Sequence, residues 1–281
     1  MNSNYQERIS QDPAVMVGKP VIKGTRIPVE RILGHLAGIY LSLHEWERAI
    51  EAYDGALVTA GNIRNLASLV SVYDGLSIAH QGMGDLVTAT AYMQRAIALS
   101  SVMSNDHVLA RLENNLGLLL LRREHWVEAG QHLRKALEHC DAAGIEQGRS
   151  HVLLSLAQLA HVEKDHRRAE AYTREAIELA ARSGEHMTQA LGQQWLGRIL
   201  AAMRRGREAR HAFEMALTLL GAQGVPRRLA ECHREYAEVL ERQGDLEGAV
   251  RQWRQAADLW QPSVDDVIDR LGWTDRGLVG S

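Results

Sequence analysis

The chain has 281 residues, is 46% hydrophobic, and carries 32 Lys and Arg against 35 Asp and Glu, a net charge of −3. That balance is too even to imply a nucleic-acid or membrane surface on charge alone. The two cysteines, Cys140 and Cys232, stand far apart. They fit neither a disulfide framework nor a Cys/His metal site and suit a reduced, cytoplasmic chain. Residues 1–8 are polar and read as a disordered tail with no signal-peptide core. The longest apolar run, Leu116–Leu121, is far short of the ~20 residues a membrane span needs.

Residues 9–29 differ from everything after them. They hold Pro13, Pro20 and Pro28 together with Gly18 and Gly24, and place β-branched pairs around Gly24-Thr25. Turn residues flanking short apolar runs predict extended segments or a small hairpin rather than helix. Pro28 suits the first turn of a following helix, where its missing N–H costs nothing.

From about residue 30 to 260 a 40-residue pattern takes over. Small residues recur at Ala37, Ser77, Gly117, Ala157, Gly197 and Ala237. A second series runs Ala49, Ala89, Ala129, Ala169, Ala209 and Ala249, and a third Ala56, Ala96, Ala136, Ala176, Ala216 and Ala256. Six copies in unbroken register specify a solenoid built by stacking units. Each unit reads as two amphipathic helices joined by a short polar link. Gly84-Asp85, Lys164-Asp165, Arg205-Gly206 and Gly244-Asp245 supply helix stops and restarts within the pairs. Gly144, Gly184 and Gly224 lie between pairs, where glycine can take the left-handed conformation that closes a helix. The small residues let paired helices approach closely where they cross. After Trp260, Ser263 and the stretch Val264–Leu271 predict one short capping helix, followed by a frayed tail.

Two resemblances follow from these residues. The small-residue pattern, with Leu-Gly at 116–117 and 196–197, resembles the tetratricopeptide repeat, whose usual unit is 34 residues. Long-helix versions resemble the sensory or effector regions of bacterial transcription regulators. The resemblance implies an all-α, right-handed superhelical solenoid of about six helix pairs. The second resemblance lies in Asp12-Pro13 and in Gly18, Lys19, Pro20, Ile22, Gly24, Thr25, Arg26, Ile27, Pro28 and Val29. This signature is similar to that of small bacterial antitoxin-like proteins, and it covers about a tenth of the chain. It implies a division into an antitoxin-like segment (1–29), the repeats (30–260), and a cap and tail (261–281).

No catalytic constellation is present: there is no HExxH, G-x-S-x-G, Walker or dinucleotide motif, and no cofactor or metal site is implied. His132 and His139 could share a helix face but lack an evident third ligand. In tetratricopeptide proteins the first helix of each pair faces a concave groove. Counted in register, that face takes Arg111, Asn114, Asn115, His151, Gln158, Gln194, Trp195 and Arg198, with Arg31, His35, Asp74, Leu118, Glu231 and Arg234 beside them. Such amide, guanidinium and imidazole groups can hydrogen-bond an extended peptide or a carboxylate. The set lacks the Lys/Asn/Lys/Arg arrangement of the clamp that holds chaperone tails. Trp195 reads equally as groove wall or inter-repeat core.

Two functions are therefore expected. The first is a non-enzymatic scaffold that binds a protein or peptide in its groove, in bacterial regulation. The second is an antitoxin-like regulator touching DNA or a toxin through Lys19, Lys23 and Arg26, with the repeats serving dimerisation or toxin capture.

Overall fold

The computed structural model describes residues 9–12, 15, 20–25, 28–62, 65–144 and 146–259. Among these residues the chain forms two short strands and twelve helices. The strands are β1 (Ile9–Ser10) and β2 (Val21–Ile22). The helices are α1 (Val29–Ser42), α2 (Trp46–Asn62), α3 (Leu66–Gly82), α4 (Leu86–Val102), α5 (Asp106–Arg122) and α6 (Trp126–Ala143). They continue as α7 (Glu146–Val162), α8 (His166–Arg182), α9 (His186–Ala202), α10 (Gly206–Gln223), α11 (Pro226–Arg242) and α12 (Leu246–Leu259). The chain separates into two compact units, Met1–Leu159 and Ala160–Ser281. The expected capping helix at 264–271 lies outside the described residues.

In the first unit β1 and β2 pair antiparallel, with Ile9 opposite Ile22 and Ser10 opposite Val21. Val21 also bridges to Pro28, and the Val29 N–H donates to the Pro20 carbonyl at 2.9 Å. The intervening turn closes from Thr25 N–H to the Ile22 carbonyl at 2.9 Å, with Gly24 at φ +80°. A positive φ at that third position is what a type II turn requires. Pro28 stands one residue ahead of α1 as its N-cap, not inside its first turn.

Successive helices pack in hairpins: α1 with α2, α3 with α4 and α5 with α6 in the first unit, and α9 with α10 and α11 with α12 in the second. All three small-residue series are buried. At the first series the crossing partner sits sixteen residues on. A Cβ added at Gly117 would meet Leu133 Cδ2 at 2.6 Å, and one at Gly197 would meet Phe213 Cδ2 at 2.7 Å. Phe213, the chain's single phenylalanine, stacks on Tyr236 at 4.9 Å between ring centres. Where serine replaces glycine, its hydroxyl finds a use: Ser77 Oγ donates to the Ala89 carbonyl at 2.8 Å.

The turns within pairs repeat as strictly as the helices. His44, Gly84, Glu124, Lys164, Arg204 and Gly244 all take positive φ, between 60° and 85°. Only two of these six are glycine. In the α9–α10 link the left-handed residue is Arg204, and Gly206 already opens α10, so the expected stop at Arg205-Gly206 is displaced by a residue. Between pairs, Gly144, Gly184 and Gly224 adopt φ of +65°, +71° and +64°. Asn65, Asp85, Asn105 and Asp165 cap the following helices by accepting a backbone N–H three residues ahead.

Candidate functional site

In the first unit the faces of α3 and α5 carry the polar residues picked out in register. Asp74 and Asn114 occupy the same repeat position, forty residues apart, and each is only 8% exposed. Arg111, one turn before Asn114, spans between the helices and donates to Asp74 Oδ2 at 2.5 Å. Asp74 Oδ1 and Asn114 Oδ1 are both buried and accept no hydrogen bond from the described residues. Leaving such acceptors dry costs roughly 1–3 kcal/mol each. Asp74's charge adds to burial in pushing the Tyr53 phenol above its usual range. Tyr53 in turn fixes Gly75, where a Cβ would meet the tyrosine Cζ at 2.1 Å.

Asn115 and Leu118 are half-buried beside this group, and Arg111 is exposed. On α7, His151 is exposed and Gln158 half-buried. The two histidines of α6 belong to a different arrangement. His132 Nδ1 lies 2.5 Å from the buried Glu113 and His139 Nδ1 lies 2.8 Å from Asp106, each tying α6 to α5. Of the three residues expected to touch nucleic acid or a toxin, Lys23 is exposed in the turn after β2. Lys19 and Arg26 lie outside the described residues.

In the second unit the equivalent face is knitted together. Gln194 Nε2 donates to Glu235 Oε2 at 2.8 Å, and Arg198 reaches the other oxygen of that carboxylate at 3.7 Å. The Arg198 guanidinium also lies 4.0 Å from the centre of the Trp195 ring. Stacking of this kind holds a planar cation in place without removing its charge. Trp195 is half-buried and sits edge-on to His161, with ring centres 6.0 Å apart, so it walls this polar group. His161 is held neutral: burial, then the nearby Arg198 and His166, lower its pKa to about 4.

His161, Arg198 and Glu235 border a cleft of about 730 Å³ lined by α9 and α11. Its lining joins the small or apolar Ala201, Ala202, Gly206 and Val239 to the charged Arg198, Arg204, Arg234, Glu235, Glu238 and Arg242. Sequence reasoning singled out Arg198 and Arg234 here but missed Glu235, Glu238, Arg204, Arg242 and His161. Glu235 and Glu238 were within reach of the repeat register, being forty residues beyond Trp195 and Arg198. Arg204 and Arg242 sit at helix ends, where the face of a helix gives no guide.

The two cysteines are buried and free. Burial, aided by Glu235, pushes the Cys232 thiol up to about 12, and burial raises Cys140 as well. No group of three or more metal-ligating side chains occurs among the described residues. No helix among them is long and apolar enough to cross a membrane.

Comparison with known proteins agrees with this architecture. Residues 9–38 match a family described as a protein of unknown function (DUF433). The transcriptional activator NprA of Geobacillus stearothermophilus is 27% identical over 113 residues, which are 40% of this chain and only 28% of that protein. Among solved structures, the apo form of RapI superposes with a TM-score of 0.69 at 15% identity, over 82% of each chain. Aspartyl phosphate phosphatase F of Bacillus subtilis gives 0.69 at 10% identity, over 83% of this chain and 60% of that one. A tetratricopeptide repeat protein of Parabacteroides merdae gives 0.61 at 16% identity, over 86% and 82%. The repeats are of tetratricopeptide type. At these identities the structural likeness establishes the fold alone.

Proposed function

We propose that this chain is a non-enzymatic helical-repeat scaffold in a bacterial regulatory system, binding a protein or peptide on the groove face formed by the first helices of its pairs. The observation that carries this reading is the pair Asp74 and Asn114. Both are more than nine-tenths buried, they occupy one repeat position on neighbouring helices, and both present an acceptor oxygen that no described residue answers. A folded chain rarely keeps two such atoms without a counterpart. An extended peptide supplies N–H groups along its length, and Arg111 beside them can receive a carbonyl or carboxylate. The regulatory setting draws support from the matched transcriptional activator, and the cytoplasm is the compartment proposed.

Cross-linking tests the reading. A photo-reactive residue in place of Asn115 should capture a partner from a bacterial lysate. One in place of Glu138, exposed on the second helix of the same pair, should not. The double change Asn114→Ala and Asn115→Ala should abolish partner retention without lowering the melting temperature by more than a few degrees. Equal capture from both positions, or a double variant that still binds, overturns the assignment.

A further inference from the structure

The cleft of the second unit exists because bulky side chains are missing there. The positions equivalent to Ala201 and Gly206 hold Leu41 and Trp46, Gln81 and Leu86, Leu121 and Trp126, His161 and His166, and Glu241 and Leu246 in the other pairs. In the first pair Trp46 fills this space by packing over Gly82, where a Cβ would meet its ring at 2.7 Å. In the fifth pair the sizes are exchanged. The large residue has become Gly206, and the residue equivalent to Gly82 has become Arg242. A tryptophan-filled contact is thereby replaced by an open space with a guanidinium at its rim.

The charges around that space do not cancel. Arg234 donates to Glu238 at 2.5 Å and lies 4.0 Å from Glu235, while Arg198 shares Glu235. Those two cations use both carboxylates of the wall. Arg205, next to the cleft, is also taken, by Glu170 and Glu208. Arg204 and Arg242 remain. Both are exposed, both line the cleft, and neither has a carboxylate partner among the described residues. Arg242 uses only its Nε, donating to the Glu238 carbonyl at 3.1 Å, which leaves the outer N–H groups directed by that anchor but unspent. His161 adds a buried Nδ1 with no hydrogen-bond partner among the described residues.

We infer that this cleft is a subsite for an acidic peptide segment, whose Asp or Glu carboxylates are received by Arg204 and Arg242 while its backbone lies over Ala201, Ala202 and Val239. Guanidinium groups bind carboxylates through paired, planar hydrogen bonds, and two unspent ones on a single rim select for anionic side chains. This inference rests on the scaffold reading and names the chemistry of one part of the partner.

The test uses the full chain and a fluorescein-labelled octapeptide of alternating Gly and Glu, compared with its Gly/Gln counterpart by fluorescence anisotropy. The Glu peptide should bind at least about tenfold more tightly, a difference of the size expected for charge-assisted pairs. Arg204→Ala with Arg242→Ala should erase that preference, whereas Arg48→Ala in the first unit should leave it intact. Gly206→Trp keeps every charge and refills the space, and it too should remove binding. Retained binding in Gly206→Trp would show diffuse electrostatic attraction and overturn the subsite. So would displacement of the peptide by inorganic phosphate or single-stranded DNA at equal concentration. No Glu preference in the unaltered chain, alongside intact cross-linking at residue 115, would sink the cleft assignment and leave the scaffold reading standing.

Discussion

The helix faces of the two units start from the same repeat positions and arrive at opposite hydrogen-bonding states. In the first unit, Asp74 and Asn114 keep buried acceptors open, with Arg111 holding one carboxylate oxygen only. In the second, Gln194 at the same position is spent on Glu235, which is spent again on Arg198. The difference comes from what the next helix supplies at 37 to 41 residues further on: an arginine one turn early in the first case, a glutamate one residue late in the second. Repeat register thus sets where a side chain sits, and the neighbouring repeat decides whether it is free for a partner. The unspent groups of the second unit are displaced to the helix ends, at Arg204 and Arg242.

The largest expected effect lies in the core that both faces rest on. Gly117→Val and Gly197→Val place atoms where Leu133 and Phe213 already lie. Each should cost on the order of 2–3 kcal/mol by overpacking, read as a fall in the urea midpoint at unchanged slope. The rigid, buried Phe213 is held by its stack on Tyr236, whereas a leucine can change rotamer, so Gly197→Val should be the more damaging. Adding Phe213→Leu should recover part of that loss. If the two valine variants are equally mild, the close approach does not organise the pairs.

The next effect separates the faces by sign. Asn114→Leu removes an unanswered buried acceptor and should be neutral or stabilising by up to about 1 kcal/mol while weakening partner capture. Gln194→Leu breaks a hydrogen bond to a partly buried carboxylate and should destabilise by about 1–2 kcal/mol. Equal destabilisation of both variants would mean that Asn114 is satisfied after all, and the contrast between the units would disappear.

Much of the architecture was legible because close packing writes itself into residue size. The three small series and the glycines between pairs fix where helices cross and end, and all were readable at a period of forty. The left-handed turn positions were less so. Gly84 and Gly244 announce themselves and Asp165 marks Lys164, but His44, Glu124 and Arg204 take the same conformation with no compositional signal, held by the two helices they join. The candidate face was legible in position and not in state. Nothing in Asn114 or Gln194 alone says which is bonded, since that depends on a side chain in the following repeat. Trp126 shows the converse: it stands at the repeat position where Trp46 packs over Gly82, yet it is 42% exposed. The cleft could have been found by noticing Ala201 and Gly206 where other pairs carry larger residues. Glycine at 206 instead suggested a helix stop, because a missing side chain and a turn signal look the same in one sequence.

The smallest effect follows from His161. Its pKa of about 4 in the folded chain lies below the ordinary histidine value, so folding favours the neutral ring. A group depressed in this way contributes stability that is fully present above about pH 6.5, falls as pH drops through the interval to about 4, and declines no further below it. With the ring partly accessible, solvent screening trims the loss to about 1 kcal/mol. The carboxylates whose pKa values are lowered, Glu170, Glu208 and Asp245 among them, lose their contributions only below their unfolded values near 4. Between about pH 6.5 and 5, among the shifted groups of the second unit, the histidine therefore governs how stability changes with pH. The urea midpoint followed by tryptophan fluorescence should fall across that window in the wild type and stay flatter in His161→Phe, with Trp195 beside the ring as reporter. An acidic peptide in the cleft would bring negative charge toward the same imidazole, raise its pKa and narrow the difference between the two proteins. A pH profile that is identical with and without the Gly/Glu peptide would place the bound carboxylates away from His161.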